Sequence, residues 1–309
     1  MSTTRKNIDW AAYEKGLRQR GSITFWFSED AIAQWHPDPG GKRGGQTVYS
    51  DVAIETSMTV RTVFGQALRQ TEGMLTSLIE LMGLTIKAPD HSTISRRSGE
   101  LQPGAYAPTS GGPLTIAVDS TGLKIYGAGE WHVTKHGGGR RRTWCKLHLA
   151  VDEATGQIVA HTLTTNDVHD QSEAPNPLDQ SVETLLGDGA YDTRGVYVAV
   201  LNHGNGENTE VIVPPRKDAV KSSPPDPAMS QRDRHIDMIA KYGRPDWEVN
   251  TEYNRRLLAE NAMGRLKRIV GPQLRGRRID TQIAEAAIGV KVLNRMSELG
   301  TPRQLPVNT

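Results

Sequence analysis

The sequence lacks several features that mark large classes of protein. It has one cysteine, Cys145, among 309 residues. A single thiol cannot form an intrachain disulfide or a multi-cysteine metal site, which argues against a secreted disulfide scaffold. No run approaches the roughly 20 consecutive apolar residues of a membrane span. We therefore expect a protein of the reducing cytoplasm that has no membrane role.

The sequence also has almost no excess of charge. It contains 37 basic and 35 acidic residues, and the net charge of +2 does not by itself predict a polyanionic partner. Hydrophobic residues make up 36% and charged residues 23%, which excludes a chain that is disordered throughout. A chain of this length can bury a core in one large domain or in two modest ones.

The pattern along the chain changes at a stretch rich in proline and glycine, residues 101–113, which predicts a linker. Before it, residues 51–83 have the apolar spacing of helices, with Gly65 and Gly73 as candidate breaks. After it come strand patterns and then long helices. We predict an α/β fold with a mixed sheet in residues 113–302, a mainly helical N-terminal region in residues 1–112, a small insertion at about 214–250 and a tail at 303–309.

Two aspartates end short apolar runs, and each has two interpretations. Asp119 follows Thr115–Val118, and Asp188 lies between Gly187 and Gly189. A carboxylate at such a position is costly to bury unless it is paired or bound to a cation. Aspartate is also common in turns, so both residues could simply cap turns.

A helix predicted at about 252–270 carries the third acid. At 100° per residue, Tyr253, Arg256, Glu260 and Lys267 share one face, and Gly264 leaves the middle of that face bare. A solvated amphipathic face is the ordinary interpretation of such a pattern. Here the carboxylate stands alone among eight basic residues between Tyr253 and Arg278, which favours a binding site.

Three carboxylates in a basic field suit a divalent metal site. Aspartate and glutamate oxygens are the ligands that Mg²⁺ and Mn²⁺ prefer. Two such ions about 4 Å apart can clamp the attacking and leaving oxygens of a phosphoryl transfer. The neighbouring cations, among them Arg265 and Arg268, would hold phosphates.

The spacing Tyr253–two–Arg256–three–Glu260–six–Lys267 resembles the Tyr-Arg-Glu-Lys signature of DDE insertion-sequence transposases. The segments Val118–Lys124 and Asp188–Asp192 resemble the two aspartate motifs of the IS-five-like branch of that family. The resemblance implies an RNase H-like core, with Asp119 on the central first strand, Asp188 at the end of the fourth strand and Glu260 on the following helix. Cys145 departs from the resemblance, since a basic residue is frequent there.

The resemblance implies the transposase of a bacterial insertion sequence, associated with the nucleoid. Asp119, Asp188 and Glu260 would hold two Mg²⁺ ions, for which Mn²⁺ can substitute. The protein would cleave double-stranded DNA at terminal inverted repeats and join the 3′-hydroxyl ends to target DNA, as a homodimer on DNA. Two alternatives stay open, namely an inactive or domesticated DNA-binding relative and a structure-specific nuclease on the same core.

The predicted DNA contacts fall in three places. The resemblance implies that Tyr253, Arg256 and Lys267 hold phosphates, and Trp247 is a candidate stacking partner for an extruded base. Residues 135–146 form a basic segment that could track phosphates, with Lys135, Arg140, Arg141 and Arg142. Residues 135–146 and 253–278 together hold 13 basic residues and one acid, so the near-neutral total hides a concentrated positive charge. The N-terminal helices could read DNA or mediate dimerisation.

Overall fold

A computed structural model of the chain describes residues 9–38, 47–103, 112–125, 144–165, 181–202 and 208–300. The predicted contacts Lys135, Arg140, Arg141 and Arg142 and the tail at 303–309 lie outside the described residues. The chain divides into two compact units, one formed by Met1–Pro103 with Arg278–Thr309 and the other by Gly104–Arg277. Within the described ranges, no helix has both the length and the apolar character needed to cross a membrane.

The first unit is helical. Its described N-terminal part contains α1 (Trp10–Gln19), α2 (Ile23–Trp26), α3 (Glu29–Ala33), α4 (Asp51–Val63), α5 (Leu68–Leu81) and α6 (His91–Arg97). The predicted break between two helices falls at Gly65, whose φ of 65° is a left-handed conformation that glycine adopts easily, whereas Gly73 lies inside α5. Four of these helices are capped at their N-termini by a side-chain oxygen that accepts a hydrogen bond from a backbone N–H. The capping residues are Asp9, Ser28, Ser50 and Asp90.

The last helix, α11 (Ile279–Gly300), belongs to this first unit, where it contacts α1 and α4. The sequence predicts this helix within the domain at residues 113–302, whereas in the structure it is part of the first unit. Its side chains are buried on most sides, and such a helix requires partners all around it. Two contacts illustrate how closely α11 packs on these helices. Nη1 of Arg61 on α4 lies 4.0 Å from Oε1 of the buried Glu285, and Gly16 of α1 lies against the carbonyl oxygen of Leu299.

The second unit is built on a mixed sheet of β1 (Leu114–Ile125), β2 (Trp144–Asp152), β3 (Ile158–Thr165), β4 (Val182–Leu186), β5 (Glu210–Ile212) and β6 (Gln273–Leu274). The strand order is β3-β2-β1-β4-β5, and β6 pairs with the far end of β1. The strands β1, β2 and β3 are antiparallel neighbours, whereas β4 and β5 run parallel to β1. The predicted α/β class with a mixed sheet is confirmed.

Four described helices accompany the sheet: α7 (Arg194–Asn202), α8 (Ser230–Tyr242), α9 (Arg244–Asn250) and α10 (Leu257–Val270). Apolar residues of β1 pack with α7 through a cluster that includes Ile116, Val118 and Val196. The helix α10 packs on β1 and β2. It begins later than the sequence predicts, because Tyr253–Arg256 forms a short 3₁₀ helix ahead of it.

The close approach of α1 and α11 gives a stability prediction. A Cβ at residue 16 would lie 1.7 Å from the carbonyl oxygen of Leu299, which is backbone and cannot rotate away. We expect Gly16→Ala to destabilise the first unit by about 1–3 kcal/mol or more, as overpacking does. Urea unfolding, together with hydrogen exchange of α1, measures this effect.

Gly73→Ala is the matched control for this substitution. Gly73 lies in α5 of the same unit, and a Cβ there would meet no atom within 4 Å. Because alanine restricts the unfolded chain and favours a helix, this variant should gain about 0.5–1 kcal/mol. If both variants had the same stability, the close packing of α1 on α11 would be contradicted.

Candidate active site

Two of the three acids are brought together by the register of parallel strands. β1 and β4 pair Ala117 with Leu186, and Asp119 and Asp188 each follow two residues later. Since parallel strands run in the same direction, both acids reach the same level where β4 ends. The sequence predicted both acids but not the strand pairing that makes them neighbours.

Asp119 is half-buried, and its Oδ1 accepts a hydrogen bond of 2.7 Å from the backbone N–H of Ser120. Burial raises the pKa of Asp119 and the Ser120 N–H lowers it; the negative charges of Asp188 and Glu260 raise it, and Arg256 lowers it. The net pKa is above the ordinary value for an aspartate. Asp188, Glu260 and Arg256 thus all act on the charge of Asp119, and such coupled charges are frequent in functional sites.

Asp188 caps a turn, which is one of the two roles that the sequence left open. Its Oδ1 accepts a hydrogen bond of 2.9 Å from the N–H of Ala190, so it caps the 3₁₀ turn Gly189–Tyr191. Its charge also acts on Asp119. Its position in the turn therefore does not prevent Asp188 from acting on Asp119.

Glu260 lies in the first turn of α10 and is paired with Arg256, whose Nη1 lies 2.7 Å from its Oε1. The three acids are a set of carboxylate oxygens, the donor chemistry that Mg²⁺ prefers. As they stand, no three histidine, cysteine or carboxylate side chains in the described ranges are close enough to hold a metal ion. In the structure Glu260 is therefore paired with Arg256 and is not gathered with Asp119 and Asp188 into a set that could hold a metal ion.

Tyr253 and Trp247 correct two sequence predictions. Tyr253 is 8% exposed and faces inward, because a 3₁₀ helix turns by about 120° per residue and the 100° rotation of an α-helix does not apply to it. Arg256 still contacts it, with the guanidinium carbon 5.2 Å from the ring centroid. Trp247 is fully buried, with its ring 5.3 Å from that of Tyr253. The prediction that Trp247 stacks on an extruded base is contradicted, since its faces are covered by protein.

An ion pair that the sequence analysis missed anchors the same turn. Arg255 donates from Nε to Oε1 of Glu153 at 2.7 Å and from Nη2 to the other oxygen of that carboxylate. The backbone N–H of Glu153 in turn bonds to the carbonyl of Thr115 on β1, at 2.9 Å. No local pattern signals this contact, because 102 residues separate the partners.

The remaining predicted residues of α10 lie on its outer side. Arg265 and Lys267 are partly exposed and Arg268 is exposed. Gly264 is exposed, and a Cβ there would meet no atom within 4 Å, so the middle of this surface is bare as predicted. Cys145, by contrast, is fully buried in β2 and has no surface to offer to DNA.

Two family models match the chain. Residues 110–294 match a model described as a transposase DDE domain, and residues 18–128 match a second model with the same description. No solved structure matches the chain. Since the first match covers more than half of the sequence, the chain belongs to the transposases with a DDE domain. This family acts on DNA and generally depends on divalent metal ions, so the resemblance in the sequence is confirmed at the level of a DDE transposase.

The raised pKa of Asp119 gives a second stability prediction. Because the folded state disfavours the ionised form, the contribution of this group to stability is present below its unfolded-state pKa and is lost as pH rises through the folded-state pKa. At pH 7 and without divalent cations, Asp119→Asn should therefore stabilise the protein, by about 0.5–2 kcal/mol. The urea midpoint, followed by circular dichroism, measures the gain.

Asp218→Asn serves as the control, because it removes an exposed acid of the same unit and should change the midpoint little. The advantage of Asp119→Asn should shrink in acid, where the wild-type carboxyl is protonated. A midpoint at pH 7 equal to or below that of the wild type would show that the gathered acids do not oppose folding.

Proposed function

We propose that the chain is the transposase of a bacterial insertion sequence, of the IS-five-like branch with the Tyr-Arg-Glu-Lys signature, and that it cleaves terminal inverted repeats and transfers the 3′-hydroxyl ends to target DNA. The observation that carries this proposal is the strand register that brings Asp119 and Asp188 to the same end of β1 and β4, with Glu260 on α10, which packs on β1. Their placement on the central strand β1, after β4 and on α10 supports an RNase H-like core.

In this proposal Asp119, Asp188 and Glu260 hold two Mg²⁺ ions, with Mn²⁺ as a substitute. Ions held by these residues would supply Lewis-acid stabilisation of the attacking and leaving oxygens of the phosphodiester. Glu260 is freed for this task when a DNA phosphate replaces it as the partner of Arg256. A guanidinium group binds phosphate and carboxylate through the same charge-assisted hydrogen bonds, so the exchange keeps Arg256 paired throughout.

The other predicted contacts form a phosphate-binding surface around the acids. Tyr253 supports Arg256 from beneath, and Lys267 takes a phosphate further along α10. Arg265 and Arg268 extend the same surface, and the basic segment with Lys135, Arg140, Arg141 and Arg142 tracks the backbone elsewhere on the DNA. The helical N-terminal region reads the transposon ends or mediates a homodimer, in which each active site serves one end.

The three acids give the direct test of the proposed chemistry. We expect Asp119→Asn, Asp188→Asn and Glu260→Gln each to slow Mg²⁺-dependent cleavage of terminal-repeat DNA by about a thousandfold or more. A metal site supplies several kcal/mol to the transition state, and each 1.4 kcal/mol is a factor of ten. Cleavage is measured on labelled DNA that carries the inverted repeats flanking the reading frame, and DNA binding is measured alongside it.

Each alternative function gives its own result in this assay. Binding without nicking in Mg²⁺ or Mn²⁺ would indicate a DNA-binding relative. Cleavage without preference for the repeat ends and without strand-transfer products would indicate a structure-specific nuclease. Cleavage at the wild-type rate in any one acid variant would remove that residue from the site.

Lys267 provides a test of phosphate binding that is separate from catalysis. It lies seven residues after Glu260 on α10 and is partly exposed. Lys267→Ala should weaken binding about equally for all DNA sequences and lower the slope of log K against log salt by about 1. Lys217→Ala, which removes an exposed lysine of the same unit, should leave the slope unchanged. An unchanged slope for Lys267→Ala would exclude this phosphate contact.

A further inference from the structure

A buried chain of side chains runs from the sheet toward Arg256. Trp247 of α9 donates from Nε1 to Nδ1 of His235 on α8, at 2.9 Å. The other ring nitrogen of His235, Nε2, lies 2.9 Å from the carbonyl oxygen of Val211 on β5. Trp247 is fully buried and His235 is 6% exposed, so both hydrogen bonds are shielded from water. This series of contacts therefore begins at a backbone carbonyl of the sheet.

The partners fix the state of the His235 ring. An indole N–H can only donate, so Nδ1 of His235 must be the acceptor. A carbonyl oxygen can only accept, so Nε2 must carry the proton. The arrangement is thus satisfied only by the neutral ring protonated at Nε2, and a charged ring would direct a second N–H at Trp247.

The surroundings of His235 favour this neutral ring. Burial lowers the pKa of His235, and Arg234 acts in the same direction. The hydrogen bond to Val211 and the charges of Glu210 and Asp192 oppose it, and the net pKa remains below the ordinary value. Burial therefore outweighs the opposing charges, and its effect on the His235 pKa agrees with the geometry.

From Trp247 the chain continues into the signature residues. The ring of Trp247 lies 5.3 Å from that of Tyr253, and the guanidinium of Arg256 lies 5.2 Å above the Tyr253 ring. The turn that carries both is short and is entered through Glu252, whose φ of 53° is unusual for a residue other than glycine. The side chains of such a short turn are held in place by contacts with other elements. Trp247, in the protein interior, supplies one of these contacts.

We propose that His235 and Trp247 are positioning residues, which set the Tyr253 ring and thereby the Arg256 guanidinium for contact with a DNA phosphate. This inference rests on the proposed function, because Arg256 is a DNA contact only there. Neither residue touches DNA or the acids. They act through the orientation of Tyr253, so their removal should weaken DNA binding only where Arg256 is present.

Three substitutions each remove a different contact of this series of side chains. His235→Gln keeps a donor near the position of Nε2 for Val211 but loses the acceptor for Trp247. His235→Asn keeps an acceptor near the position of Nδ1 for Trp247 but loses the donor to Val211. Trp247→Phe keeps a ring against Tyr253 but loses the N–H.

The measurement is the Kd for terminal-repeat DNA, by fluorescence anisotropy in EDTA so that no cleavage occurs. His235→Gln and Trp247→Phe should weaken binding by about tenfold, because a misplaced guanidinium loses charge-assisted hydrogen bonds to phosphate. His235→Asn should stay within about threefold of the wild type. The indole N–H of Trp247, followed by NMR, should exchange slowly in the wild type and in His235→Asn and quickly in His235→Gln.

A double-mutant cycle with Arg256→Ala separates positioning from general loss of stability. If His235 acts through Arg256, then His235→Gln should have no further effect on Kd when Arg256 is already alanine. Val196→Ala is the control, since it removes buried apolar atoms of the same unit and should lower the urea midpoint without changing Kd.

The possible failures can be told apart. Wild-type Kd in His235→Gln and Trp247→Phe, or equal weakening with and without Arg256, would overturn the positioning role while the proposed function stands. Wild-type Kd in Arg256→Ala would remove Arg256 from the DNA contact and would overturn the proposal together with that part of the function.

Discussion

The two-sided pairing of β1 is the interaction on which the site depends. On one side β1 is antiparallel to β2, and on the other it is parallel to β4. Because side chains alternate along a strand, a slip of one residue would move Asp119 to the opposite face of the sheet. The distance between Asp119 and Asp188 is therefore set by backbone hydrogen bonds, which form whether or not a ligand is present.

This arrangement places like charges near one another, and neighbouring residues offset part of the resulting free-energy cost of ionising Asp119. Asp119 is held near two other acids in a half-buried position, which disfavours its ionised form. Arg256 lies close enough to act against this effect and also pairs with Glu260. The Ser120 N–H and the Arg256 charge thus both lower the pKa of Asp119 against the effect of burial, and the Arg256 guanidinium itself lies against the Tyr253 ring.

The sequence predicted those features of the fold that local patterns determine. Alternating residues marked β1 and β2, and apolar spacing marked α4 and α5 with the break at Gly65. The signature spacing predicted the three acids and indicated a DDE transposase, and the family models confirm that family. These predictions needed no knowledge of which elements are neighbours.

The features that sequence reasoning missed depend on contacts between distant parts of the chain. Tyr253–Arg256 forms a 3₁₀ turn that packs against Trp247, so a rotation of 100° per residue misplaced Tyr253. The pair of Arg255 and Glu153 joins segments with no shared pattern. The buried state of Trp247 could not be read from its type, since tryptophan occurs both in cores and at nucleic-acid surfaces.

The place of α11 in the first unit also affects how the protein is made. The N-terminal helices are synthesised first, yet the helix that fills their interior follows after the whole of the second unit. At about 5–20 residues per second, they wait on the order of ten seconds or more for that partner to leave the ribosome. The second unit, whose strands and helices are contiguous in sequence, can fold in the meantime. Completion of the first unit is therefore a late step in synthesis, and only a chain translated through α11 acquires both halves of the transposase.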